Sequence, residues 1–452
     1  MKISRRTVVA GMLGVSSFGL PLPAPSSNGQ NHPNGPPPSE PISAEDDQFL
    51  EELEEANFYF FVEQADPETG LVKDRCNMHI TDNSIVASIA ATGFGLTALC
   101  IGAKRGYLSQ AEARARVVRA LAFLWEKMPT HRGFFYHFAN AHTGDRIWDS
   151  EVSSIDTAIL LCGMLTCRMY FKSSEIDRLA NDIFSRVEWG WLSEDTTLLP
   201  QGWSPERGFL PYRWDYYSEL MMIYLLGLGS GQHALAPDTW NAWKRSRFEY
   251  DGLRYIGAFA PLFVHQYSQA WFDFRGRRDQ FADYFLNSIY ATEAHRLFCI
   301  ELSKQFPDYS DELWGISASD SERGYVVWGG PPSMGPIDGS VTPSATGGSL
   351  PFLPNATLRV LRNIKQRYGQ RAWCRYGFVN AFNPLTNWYD SDVVGIDTGI
   401  TLVMAENLRT GFVWDTFMKT PEARRGFERA GFQSYNADYR AEQDRLEARS
   451  SP

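Results

Sequence analysis

Basic charge is the first thing this chain is short of. Its 43 Lys and Arg stand against 53 Asp and Glu, a formal net of -10. A broad basic patch of the kind that binds nucleic acid or an anionic membrane is therefore not expected. Paired-cysteine chemistry is missing too. Cys76, Cys100, Cys162, Cys167, Cys299 and Cys374 include no CxxC and no Cys/His cluster at zinc spacing. Cys162 and Cys167 fall in an apolar helical run, where buried thiols are common; one disulfide stays open as a reading, with its pairing illegible. The chain has no GxxxxGK[ST], no strand-GxGxxG-helix context, no HExxH and no GxSxG elbow. These absences disfavour phosphoryl transfer, nucleotide cofactors and zinc hydrolysis, and neither a cofactor nor a metal is expected. Solenoid-type repeats are absent as well.

What is present in excess is aromatic: 14% of the residues, with 14 Trp. Trp and Tyr offer a flat apolar face with a polar tip, which suits stacking on sugar rings; a large aromatic core is the competing reading. The N-terminus has a charged start followed by an apolar run to Leu20, shorter than the roughly 20 residues that span a bilayer. Ser4-Arg5-Arg6 ahead of that run resembles a twin-arginine export signal. Residues 1–20 are thus read as a signal and 21–45, rich in Pro, Ser, Asn and Gly, as a spacer. Residues 46–440 are read as one catalytic domain and 441–452 as a charged tail. The expected location is periplasmic or secreted, with no membrane span after signal removal.

Helical patterns dominate from Ala44 onward. Nearly apolar segments alternate with amphipathic ones: 84–104 with 109–128, 153–171 with 174–189, 215–228 with 237–247. Helices over 46–64, 281–306, 355–368, 398–408 and 420–430 complete the set. Such alternation is what two concentric rings require, the inner helices being covered by the outer. The expected fold is all-α, an α/α toroid. Long Gly/Pro/aromatic loops at 129–150, 190–214, 307–354 and 373–397 would gather at one end and carry the function.

Three acid clusters stand in aromatic, non-periodic sequence. In Trp148-Asp149-Ser150-Glu151-Val152-Ser153-Ser154-Ile155-Asp156 the acids open a nearly apolar helix; capping is the bland use, but an acid leading into Thr157-Ala158-Ile159 needs a partner or a task. In Trp214-Asp215-Tyr216-Tyr217-Ser218-Glu219, the i, i+4 spacing would put Asp215 and Glu219 on one helix face, with aromatic walls that raise a carboxyl pKa. In Trp388-Tyr389-Asp390-Ser391-Asp392-Val393-Val394-Gly395-Ile396-Asp397, Asp397 sits at a loop-to-helix junction. Asp320, His265 and Gln266 are minor candidates, and His265 reads more readily as a core histidine. Paired carboxyls are what glycoside hydrolysis needs, one protonated and one ionised.

The segments Ala90-Ala91-Thr92-Gly93-Phe94-Gly95, Gly133-Phe134-Phe135-Tyr136-His137-Phe138, Ser150–Ala158, Gly347-Gly348-Ser349-Leu350-Pro351-Phe352, Arg375–Pro384 and Gly395-Ile396-Asp397-Thr398-Gly399 together resemble the glycoamylase-like family, in particular glycoside hydrolase family 144. The resemblance runs from about residue 50 to Phe432. It implies an (α/α)6 barrel and inverting, endo-acting hydrolysis of linear β-1,2-glucan to short sophoro-oligosaccharides by a monomer. It also implies Glu219 as general acid, Asp397 as general base and Glu151 as a group close to the cleaved bond or sharing the acid/base work. Asp149, Asp156, Trp214, Asp215, His265, Gln266, Asp320 and Trp388 are the expected substrate-binding residues. Thr398 and Asn380 depart from the family pattern, which expects Gln or similar after Asp397 and often Asp at 380. An exo-acting sophorohydrolase or a transglycosylase on the same scaffold, and a non-catalytic glucan-binding protein, are the rival readings.

Overall fold

The structure is a computed structural model and describes residues 42–194 and 196–449. The expected signal at 1–20 and the spacer as far as residue 41 lie outside the described residues. Eleven main helices follow in order: α1 Ala44–Glu63, α2 Ile89–Arg105, α3 Gln110–Glu126, α4 Ser154–Phe171, α5 Ser174–Ser185, α6 Met221–Gly229, α7 Tyr284–Glu301, α8 Pro354–Ala372, α9 Gly395–Thr410, α10 Pro421–Arg429 and α11 Tyr439–Glu447.

Their burial sorts them into two layers. Helix α2 is buried from Ile89 through Ala103, α4 from Ser154 through Arg168, and α6 along its whole length; α9 is nearly as covered. Those are the apolar segments of the sequence, and being buried on every side they form the inner ring. The 3-10 turns Leu262–His265 and Tyr267–Ala270 and the short helix Pro343–Gly347, also buried, complete it. Helices α1, α3, α5, α8 and α10 each bury one stripe outside this ring. Outer helix α7 is more covered because α11 packs on it, with Phe285 against Tyr439 at 4.9 Å. The (α/α)6 barrel is thus the observed architecture. Helix α4 has the length and apolar composition to cross a bilayer, but 83% of it is buried inside the ring.

Neighbouring inner helices come together at glycine. A Cβ on Gly163 of α4 would lie 2.0 Å from the Gly93 carbonyl oxygen of α2. Only a residue without a side chain permits that approach.

Two expectations need correction. The segment 215–228 is helical only from Met221. Ahead of it, Lys244 and Asp215 to Tyr217 exchange backbone hydrogen bonds, with Lys244 N–H on the Asp215 carbonyl at 2.7 Å and Tyr217 N–H on the Lys244 carbonyl at 2.8 Å. This pairing takes the polar groups a helix would have used. Its expected partner, 237–247, holds only the turn of helix Thr239–Ala242 before a hairpin, Ser246–Tyr250 with Leu253–Gly257. Asp251 and Gly252 at φ 47° and 75° make the turn of that hairpin. The outer cover of α6 comes instead from the chain's end: a Cβ on Gly426 of α10 would meet the Leu225 carbonyl oxygen at 2.4 Å.

Short strands pin the loops at one rim. Val86–Ser88 pairs with Phe138–Asn140, Val152–Ser153 with Gly202–Ser204, and Arg75–Asn77 with Asp392–Val394. In each pair one strand runs straight into an inner helix, α2, α4 or α9. The first turn of each of these helices, where Asp156 and Asp397 reside, is thereby fixed at the rim. The stretch from 441, expected as a tail, belongs to α11, whose Gln443 and Leu446 are buried.

Candidate active site

The rim loops surround a cleft of about 880 Å³. All four long loops expected to carry function contribute to it, through His137 and Trp148, Gln201 and Pro211, Asp320 to Tyr325, and Trp388 to Ile396. Glu219, Asp156, Asp215, Trp214, Asp320 and Trp388 line it, as the clusters suggested. The helical argument for Asp215 and Glu219 does not hold, since both precede α6; the turn before the helix nonetheless brings both to the cleft. Ser268 Oγ–H donates to the Glu219 carbonyl at 2.7 Å and fixes that turn against the inner ring. Burial raises the Asp215 carboxyl above its ordinary pKa.

His137, also on the cleft lining, joins two acids, Glu151 just ahead of the strand that leads into α4 and Asp156 in the helix's first turn. Its Nδ1 lies 3.1 Å from Glu151 Oε1 and its Nε2 lies 3.7 Å from Asp156 Oδ2. The imidazole is stacked on Phe138, with ring centroids 3.8 Å apart. Ser153 caps α4 by accepting from Asp156 N–H at 3.1 Å, and its hydroxyl donates to the Asp156 carboxylate. Asp156 therefore caps and faces the cleft at once. Glu151 is not itself on the cleft lining; it reaches the site through His137.

Asp397 is set just behind the wall. Its neighbours Val394 and Ile396 line the cleft, while its own carboxylate is 7% exposed and accepts from Asn380 Nδ2 at 2.6 Å. Asn380 Oδ1 in turn accepts from Asp320 N–H at 2.8 Å. The amide at 380, where the family often has Asp, thus links the α9 acid to the Asp320 loop.

Three expected binding residues are placed elsewhere. His265 and Gln266 are buried in the inner ring behind the cleft. His265 Nδ1 pairs with the Tyr217 hydroxyl at 3.0 Å, and burial pulls its pKa down to about 3. Gln266 Nε2 donates to the Ala345 carbonyl and to Ser349 Oγ, both at 2.8 Å. Asp149 is exposed to solvent because the Trp148-Asp149 turn is left-handed, at φ 60° and 49°; the same turn presents Trp148, 61% exposed, to the cleft. With Tyr212, 39% exposed, it gives the cleft two open aromatic faces. Trp189, Trp240, Trp243, Trp271, Trp314 and Trp414 are core, so both readings of the tryptophan excess apply, each to different residues.

Residues not singled out in the sequence complete the site. Arg75 Nε meets Asp74 at 3.1 Å, and its Nη1 meets Asp320 and, at 3.3 Å, Asp392. Beside this cluster Asp390 is pushed up to about 7, first by burial and then by the Asp320 charge. Asp390 and Asp392 stood in a segment already marked for Asp397. His137 stood in a segment quoted for the resemblance without a role, and Arg75 carried no legible signal, because Asp320 and Asp392 lie far from it in sequence.

Similarity to known proteins follows the same lines. Residues 211–421 match the Glycoamylase family model. An exo β-1,2-glucooligosaccharide sophorohydrolase (non-reducing end) of Parabacteroides distasonis is 27% identical over 423 residues, covering 85% of this chain and 58% of that protein. The chain thus spans little more than half the length of this curated relative. The solved structure of an endo-β-1,2-glucanase from Chitinophaga pinensis, with sophorotriose and glucose, superimposes with a TM-score of 0.79 at 28% identity, covering 86% of this chain and 99% of that one. A β-1,2-glucanase structure from Parabacteroides distasonis gives 0.80 at 26% identity, covering 86% and 60%. Fold and cleft define the class: an (α/α)6 barrel with an acid-lined cleft at one rim, similar to these glucan hydrolases. The resemblance carried by the sequence motifs holds, and these relatives are named as β-1,2-glucan hydrolases.

Proposed function

We propose that this chain is an exported, endo-acting β-1,2-glucanase that works as a monomer by general acid and base catalysis with inversion. The observation that carries the reading is the cleft itself: Glu219 and Asp156 open onto one 880 Å³ space walled by exposed Trp148 and Tyr212. Such a space has room for several sugar rings, aromatic faces to stack on them, and carboxyls to act between them. Glu219 donates the proton to the leaving glycosidic oxygen. Asp397, set behind the wall, withdraws a proton from the attacking water through an intervening water. The Glu151–His137–Asp156 group holds the sugar hydroxyls beside the cleaved bond. Support for the linkage comes from the relatives, among them the Chitinophaga pinensis enzyme with sophorotriose and glucose. Export is read from Ser4-Arg5-Arg6 and the apolar run behind it.

Glu219→Gln and Asp397→Asn are each expected to lower kcat on β-1,2-glucan by about 10²–10⁴-fold with thermal unfolding unchanged. A Glu219→Gln enzyme within a few-fold of wild type would remove the acid from its role. The exo-acting sophorohydrolase is the second reading, favoured by the Parabacteroides relative. Early products separate the two: a spread of oligosaccharides supports endo action, and one disaccharide from the first moments supports exo action.

A further inference from the structure

The cleft wall carries a group of charges for which the proposed hydrolysis has no use. Asp390 and Asp392 flank the bend at Ser391 on the segment that leads into α9. Asp320 comes from the loop across from it. One carboxylate oxygen from each of the three lies within 4.8 Å of the other two. With Asp74 they make four carboxylates, three of which pair with a single guanidinium, Arg75. Arg75 serves Asp74, Asp320 and Asp392, and Asn77 Nδ2 serves the second Asp392 oxygen at 2.9 Å. Asp390 is left out. Its Oδ1 accepts Asp392 N–H at 3.1 Å, but its Oδ2 has no hydrogen-bond partner, in a side chain only 7% exposed. A buried carboxylate oxygen without a partner is costly.

The geometry points to a binding site for a calcium-class divalent cation formed by Asp320, Asp390 and Asp392. The donors are all hard oxygens, with no His or Cys among them, which excludes a zinc-type preference. Calcium takes oxygen ligands at about 2.3–2.6 Å, so oxygens up to roughly twice that distance apart share one ion. Magnesium demands a tighter octahedron at about 2.0–2.1 Å. All three acids line the cleft, whose water completes the coordination. The ion supplies the charge that Arg75 alone does not, and it ties the 307–354 loop to the segment entering α9. The site does not depend on which glucan, or whether any glucan, is cleaved.

The test is calorimetric titration of the full chain, stripped with EDTA and dialysed, with CaCl2 alone, alongside melting with and without CaCl2. The expected result is one Ca²⁺ per chain, a higher Tm with CaCl2, and weaker binding of MgCl2. Asp390→Asn should weaken Ca²⁺ binding by at least about tenfold and remove the Tm increase. Its calcium-free Tm should not fall below that of calcium-free wild type, because one buried like charge is gone. Asp320→Asn, half-buried, is the second variant, with the same expected loss. No heat and no Tm change in wild type at millimolar CaCl2, Mg²⁺ binding as tight as Ca²⁺, or undiminished Ca²⁺ affinity in either variant would overturn the site.

Discussion

His265 and His295 sit at 5% and 3% exposure in the interior, and burial holds their pKa values down to about 3 and about 4. His295 Nε2 accepts the Ile316 N–H at 2.9 Å, a bond that protonation would destroy. Both are neutral in the fold and take up a proton on unfolding below about pH 6.5. The unfolded state therefore binds more protons in that range, and stability falls as pH drops from about 6.5 toward 4, by about 1.4 kcal/mol per pH unit for each histidine. Denaturation across pH should show this loss, and it should be shallower in His295→Gln; an equal slope in the two proteins would contradict it. Trp148 makes a different prediction. As an exposed stacking face outside the acid groups, Trp148→Ala should raise KM on the order of tenfold with kcat little changed. A large fall in kcat alone would give it another role. The three acid clusters were legible because each interrupts helical periodicity with aromatic neighbours. His265 was read more readily as a core histidine, which its Tyr217 contact fits, but its and Gln266's place among the binding residues did not carry over, because a buried polar pair and a binding pair look alike in sequence and only the Tyr217, Ala345 and Ser349 contacts tell them apart.

Among elements, the α2–α4 crossing is the tightest constraint on the ring. Gly163→Ala would push a methyl onto the Gly93 carbonyl, and overpacking of this kind costs about 1–3 kcal/mol or more. Gly190→Ala, with open space around it, should leave Tm within about a degree of wild type, as surface substitutions do. Equal melting of the two variants would mean the crossing gives way easily. Removing α11 is the second test of this kind. Gln443 Nε2 donates to the Pro351 and Phe352 carbonyls at 2.9 Å, and Glu447 accepts from Ala356 N–H at the start of α8 at 3.1 Å. Truncation after Asp438 should lower Tm by several degrees, read by calorimetry. Most inner and outer helices were readable from alternating apolar and amphipathic runs. The pair at 215–247 was not, because Asp215 and Tyr217 bond to Lys244 on the far side of α6 in the chain, a contact that local periodicity does not contain. The hairpin beyond it did leave a mark, Asp251-Gly252, between strands of modest alternation.

At the scale of the molecule, a two-layered ring lets the acid clusters, distant in the chain, meet around one cleft. Helices α2, α4 and α9 each begin at the rim directly behind a short strand, and the first turns of α4 and α9 carry Asp156 and Asp397. That is why Asp156 and Asp397 could be singled out as helix starts, yet the extra depth of Asp397 could not: it depends on Asn380, further back in the same 373–397 segment. Ring and cleft were legible in periodicity and loop placement; the partnership of Glu151, His137 and Asp156 became visible only with the fold. The central claim is that this cleft hydrolyses β-1,2-linked glucan. The most direct measurement is reducing-end release by the purified protein from linear β-1,2-, β-1,3- and β-1,4-glucans side by side. The account predicts release from the β-1,2-glucan, abolished in Glu219→Gln; release from only the other two would contradict it.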